Sequence, residues 1–139
     1  MDRSKLISQL RIDEGEVLHV YQDSLGFWTL GVGRMVDPKK GGGISKEESA
    51  YLLNNDIIKV EADLDLFVPW WRNLSENRQL VLANMCFNMG ISTLLTFKNT
   101  LKAMSEGQYD VAAEGMRESK WARQVGKRAV RLIKLMEEG

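Results

Sequence analysis

Apolar residues recur along most of the chain with helical spacing, and one short stretch near the start breaks that rhythm. Leu6, Ile7 and Leu10 share a face, which predicts a helix capped by Ser4, running to about Glu14 and released by Gly15. Residues 17–22 and 27–32 are rich in β-branched and aromatic residues. Asp23-Ser24-Leu25-Gly26 separates them as a turn, so a hairpin is expected. A loop follows from Asp37 to Gly43, carrying Pro38 and three consecutive glycines. Ser45-Lys46-Glu47-Glu48 has the form of a capping box, in which Ser45 caps and Glu48 reaches back. It opens a long helix whose stripe is Ala50, Leu53, Ile57, Val60, Leu64 and Phe67, stopped by Pro69. Ser75 begins a further helix that is apolar almost all round and ends at Gly90, the pattern of a core centre. Shorter helices are predicted at about 93–105, 109–117 and 126–137.

The pattern therefore predicts an α+β, mainly α fold with two lobes. Residues 15–44 form a small hairpin lobe and 45–68 a connecting helix. Residues 1–14 and 69–139 form a helical lobe, with a cleft between the lobes. The length of 139 residues suits one domain able to bury a core without staples. No apolar run approaches membrane-spanning length, and the N-terminus lacks the apolar centre of a signal peptide, so cytoplasmic synthesis and no stable membrane association are expected. Cys86 is the only cysteine, in an apolar setting that suits a buried core thiol. Formal net charge is zero, but the first half is acidic and the second basic. Arg117, Lys120, Arg123, Lys127, Arg128, Arg131 and Lys134 are opposed locally by Glu118 alone. Such a tract reads first as a solvated helix face and second as a patch for an anionic polymer. Without a recognition-helix motif and with Trp121 as its one interleaved aromatic, it does not argue for nucleic acid.

The candidate chemistry lies around the hairpin. Glu14 and Asp23 put two carboxylates on different elements, and Thr29 follows among strand residues. Glycosidic cleavage needs such a pair, one acid to protonate the leaving oxygen and one carboxylate for water or the cation-like transition state. Glu14 is expected in a partly dry setting, Asp23 on an exposed turn, and Thr29 beside a water held with Asp23. Gly26, Gly31 and Gly33 allow the backbone to bend and a sugar ring to approach. His19, the single histidine, excludes a His-pair metal site, and nothing in the pattern asks for a metal or cofactor. Trp70 and Trp71 are open to core packing or sugar stacking, whereas Trp121 reads as core.

The joint order, Glu14-Gly15 followed by Asp-x-x-Gly-x-x-Thr-x-Gly-x-Gly from Asp23 to Gly33, resembles the phage-type (T4-like) lysozymes, a glycoside hydrolase family of endolysins. Arg11 to Gly15, Ser45 to Asp56, Asn84 to Gly90, Ser119-Lys120-Trp121 and Lys127-Arg128-Ala129 extend the likeness along nearly the whole chain. The resemblance implies hydrolysis of the β-1,4 bond between N-acetylmuramic acid and N-acetylglucosamine in bacterial peptidoglycan. Glu14 is then the general acid, with Asp23 and Thr29 positioning water. Gly33, Asn88 and Arg128 contact substrate or shape the cleft, Arg128 near Glu14. No cofactor is implied, and a monomer is expected. An enzyme of this kind is made in the host cytoplasm and reaches the periplasm after holin-type release. The alternative is a non-catalytic cell-wall-binding module on the same fold. Two features depart from the family pattern. Arg34 stands where many relatives have His, with Asp56 at the position of that His's acidic partner, and the substitution is not expected to touch catalysis. The 37–43 loop is also shorter than in larger members.

Overall fold

The computed structural model describes residues 1–139 and divides them into two compact units, Met1–Tyr51 and Leu52–Gly139. The first holds helix α1 (Arg3–Glu14), strands β1 (Val17–Gln22), β2 (Trp28–Gly31) and β3 (Arg34–Met35), a single 3₁₀ turn at Pro38–Lys40, and the first turns of α2 (Lys46–Phe67). The second holds the rest of α2 and then α3 (Glu76–Met89), α4 (Ile91–Leu94), α5 (Lys98–Ser105), α6 (Tyr109–Arg117), α7 (Lys120–Val125) and α8 (Lys127–Glu138). The fold is α+β and mainly helical, as the periodicity predicts, and no helix is long and apolar enough to cross a membrane.

The sheet is an antiparallel meander in the order β1-β2-β3. Gln22 pairs with Trp28 and Tyr21 with Thr29, but Val17 pairs with Gly31, so β1 carries extra residues between positions 17 and 21 as a bulge. β3 is two residues long, too short for alternation to reveal it, and continues the 27–32 run after a tight turn. The α1 cap is Asp2, whose Oδ1 accepts from the Lys5 backbone N–H at 3.1 Å, where Ser4 was expected. Ser4 lies inside the helix, and its carbonyl accepts from the Ser8 hydroxyl. None of the residues of α1 is buried. Leu6 is half-buried, while Ile7 and Leu10 are exposed.

The capping box of α2 forms in full. Glu48 N–H donates to Ser45 Oγ at 3.0 Å and Ser45 N–H donates to Glu48 Oε1 at 2.8 Å. The expected α2 stripe is buried only where the helix enters the second unit, at Val60 and Leu64. Leu53, Ile57 and Phe67 stay about half exposed. The core of the second unit gathers Val81, Leu82, Met85 and Cys86 from α3 with Ala112, Ala113 and Met116 from α6 and Leu132, Ile133 and Met136 from α8. α3 thus buries one broad face and not its whole circumference, because Leu80 and Phe87 face outward. Arg78 ties the start of α3 to the end of α8, with Nε donating to the Met136 carbonyl at 2.8 Å and the guanidinium 3.4 Å from the Tyr109 ring. The helix expected at 93–105 is two helices, α4 and α5, separated at 95–97. α7, capped by Ser119 on the Ala122 N–H, is an element the apolar spacing did not reveal.

Candidate active site

Asp23 is placed by its own turn. Its Oδ1 accepts from the backbone N–H of Leu25 at 2.9 Å and of Phe27 at 2.8 Å, while its own N–H donates to the Phe27 carbonyl at 2.9 Å. This is the local pattern that makes Asp a turn former. It also fixes the carboxylate in one orientation. Both bonds fall on Oδ1, so Oδ2 has no hydrogen-bond donor within the chain.

Thr29 is buried at 4% exposure in β2, and its hydroxyl donates to the Phe27 carbonyl at 3.0 Å. With its proton committed, the oxygen can only accept, which is the role wanted for a bonded water. Asp23 and Thr29 therefore share the carbonyl of Phe27. The N–H of the same peptide unit, on Trp28, donates to Asp37 Oδ2 at 3.2 Å.

Glu14 ends α1 and is exposed, so the dry environment expected of it is absent from the free chain. Its side chain lies close to Gly33. A Cβ on Gly33 would lie 2.8 Å from Glu14 Oε2, and the Gly33 backbone has φ +64°. Gly33, expected to admit substrate, is thus a backbone that only glycine can bring this close to the carboxylate.

Arg34 pairs with Glu48 and not with Asp56. Nη1 lies 2.7 Å from Oε2 and donates to Oε1 at 2.8 Å. Glu48 is within reach because the capping box already turns it back toward the start of α2. The Arg34 guanidinium first, and then the Ser45 N–H, lower the Glu48 carboxyl to about 2.

In the second unit, Asn88 accepts at Oδ1 from Trp121 Nε1 at 2.8 Å. Trp121 is 6% exposed and meets Phe97 edge-on, with centroids 6.5 Å apart. The two rings line a recess of about 720 Å³ that Asn99, Thr100, Lys120 and Gln124 also border. Arg128 is half-buried and donates through Nε to Asn84 Oδ1 at 2.9 Å, beside an apolar recess of about 440 Å³. Much of the basic tract has partners within the chain. Arg117 pairs with Glu114 and Glu137, Arg123 donates to the Glu118 carbonyl, and Lys134 approaches Glu138 at 4.0 Å. Trp71 is core and donates to Asp65 Oδ1 at 2.8 Å, and Trp70 packs half-buried on the same core. His19 is exposed. Burial raises the Cys86 thiol, as a core cysteine requires.

Glu14 thus lies against Gly33, and Asp23 and Thr29 meet at the Phe27 carbonyl. Residues 11–136 match the phage lysozyme family. The chain belongs to that family, and it is a glycoside hydrolase. It is 32% identical to probable T4-type lysozyme 2 of Dictyostelium discoideum, across 98% of this chain and 95% of that protein. It is 36% identical to an endolysin of Acyrthosiphon pisum secondary endosymbiont phage 1, across 83% and 77%. It is 28% identical to the pre-baseplate central spike protein Gp5 of Enterobacteria phage T4, across 96% of this chain and 28% of that longer protein. The alignment with the first of these runs over 163 positions, more than the 139 residues present here, so that relative carries residues with no counterpart in this chain.

Sequence reasoning put forward Glu14, Asp23 and Thr29 and did not single out Asp37. That residue is 4% exposed, the only buried carboxylate in the chain.

Proposed function

We propose that this glycoside hydrolase is a muramidase that cleaves the β-1,4 bond from N-acetylmuramic acid to N-acetylglucosamine in bacterial peptidoglycan. Glu14 protonates the leaving oxygen. Asp23, through Oδ2, and Thr29, through its hydroxyl oxygen, hold the attacking water. The observation that carries this reading is the shared anchorage of Asp23 and Thr29 on the Phe27 carbonyl. It leaves one free acceptor on each residue and so favours a single bound water. Because Glu14 is exposed in the free chain, the bound saccharide has to exclude water from it before proton transfer. Asn88 and Trp121 support recognition from the second unit, where their bond holds the indole at the rim of a recess sized for a sugar or a short peptide. Arg128, bonded to Asn84, borders the apolar recess of the same unit. The enzyme acts as a monomer, is made in the host cytoplasm and reaches the periplasmic wall after release through a holin-type pore.

Glu14→Gln should leave the fold unchanged, keep binding to purified peptidoglycan, and lose at least about a hundredfold in reducing-end release. Wild-type turnover by Glu14→Gln would remove the acid from the scheme. Wall binding by the wild type without any bond cleavage would leave only the binding-module alternative.

A further inference from the structure

We propose that Asp37 is a positioning residue for the water-directing pair: it holds the peptide plane from which Asp23 and Thr29 both hang. This rests on the roles given above to Asp23 and Thr29. The peptide unit joining Phe27 to Trp28 is rigid and planar. On its carbonyl edge it accepts from the Asp23 N–H at 2.9 Å and from the Thr29 hydroxyl at 3.0 Å. On its opposite edge its N–H donates to Asp37 Oδ2 at 3.2 Å. A rotation of that plane moves both functional side chains together, and Asp37 is the side chain that opposes the rotation. The next backbone groups strengthen the clamp, since the N–H groups of Val36 and Asp37 donate to the Trp28 carbonyl at 2.9 and 3.1 Å.

Asp37 is itself immobilised. Its Oδ1 caps the 3₁₀ turn by accepting from Lys39 N–H at 3.0 Å, and Pro38 fixes the first position of that turn. Its carbonyl accepts from Lys40 and Gly42. The Gly42 backbone lies so close that a Cβ there would meet Asp37 N and O at 2.9 Å. The short loop from 37 to 43 therefore folds around this carboxylate. The Lys39 and Trp28 N–H donors hold the carboxyl below its ordinary range.

The experiment compares three variants with the wild type for kcat and KM on purified peptidoglycan, per folded protein by circular dichroism. Asp37→Ser keeps an oxygen for the Lys39 cap but is too short to reach Trp28. Asp37→Asn keeps the shape but turns an amide donor toward one of the two N–H groups. Gly41→Ala, at φ +69° with open space around it, loosens the same loop and leaves the Trp28 bond intact. The expected result is a ~10- to 100-fold loss of kcat in both Asp37 variants with KM within about twofold, as for displacement of an aligned reacting group. Gly41→Ala should lose stability but keep kcat within about twofold. The proposal is overturned if both Asp37 variants retain wild-type kcat, if their loss lies in KM, or if Gly41→Ala loses as much kcat as they do. Glu14→Gln assayed alongside separates the levels. An inactive Glu14→Gln with fully active Asp37 variants refutes the positioning role alone, whereas an active Glu14→Gln refutes the catalytic reading and this inference with it.

Discussion

Gly33→Ala and Gly31→Ala together test whether the hairpin backbone sets the position of Glu14. Both glycines are left-handed, at φ +64° and +68°, so an alanine at either carries the same strain of about 1–2 kcal/mol. Part of this is offset by ~0.4–1 kcal/mol from the stiffer unfolded chain. A net loss near 1 kcal/mol is expected at each site, or ~3–5 °C in melting temperature for a chain of this size. The two sites differ in what the new methyl meets. At Gly31 nothing lies within 4 Å. At Gly33 the methyl would sit 2.8 Å from Glu14 Oε2, 3.0 Å from Cδ and 3.2 Å from Cγ. Carbon contacts are relaxed only near ~3.5–4.0 Å, so the carboxyl group must retreat by about 0.5–1 Å. A displacement of ~1 Å in a reacting group can lower turnover by about a hundredfold. Gly33→Ala should therefore lose ~10- to 100-fold in kcat, while Gly31→Ala, equally destabilised, keeps most of its turnover. Differential scanning calorimetry gives the stability change and reducing-end release gives the rate. Equal kcat in the two variants would show that Glu14 is not set by its contact with residue 33.

Two further expectations follow from side-chain pairs. Glu48 has a lower carboxyl pKa folded than unfolded, so the Arg34 pair contributes fully above the ordinary glutamate range and fades as pH falls toward about 2. Urea unfolding of Arg34→Met should thus show a stability deficit against the wild type at about pH 6 that closes at about pH 2, and a deficit unchanged with pH would exclude this pairing in solution. Asn88→Ala should cost about 1–3 kcal/mol by leaving the buried Trp121 N–H without its acceptor, and Asn88→Asp should recover most of it, both read by chemical unfolding.

Local signals were the legible ones. The bounds of β1, the Ser45–Glu48 box, the Ser75 cap and the ends of α2 and α3 follow from caps, turns and prolines that act within a few residues. Where two local solutions compete, sequence could not choose between them. Asp2 and Ser4 are both good caps, and the structure uses the earlier one. Side chains whose role depends on distant partners stayed hidden. Asp37 before Pro38 reads as a plain turn former, and only its bond to Trp28, nine residues back, reveals the clamp. Arg34 lay in the right place for an ion pair, but the capping box had already presented Glu48. The exposure of Glu14 and of Leu53, Ile57 and Phe67 could not be read from a stripe, because periodicity marks a face without saying what covers it.

The main-chain character of the Phe27–Trp28 anchor decides which kinds of genetic variation the site can register. Its hydrogen bonds are made by amide atoms that every residue except proline possesses, so many codon changes at 27 and 28 leave those atoms in place. A library scored one side chain at a time would pass over the centre of the arrangement. An ester in place of the 27–28 amide deletes the donor and weakens the acceptor without altering any side chain, and that single-atom edit is the one to which the loop around Asp23 and Thr29 should be most sensitive.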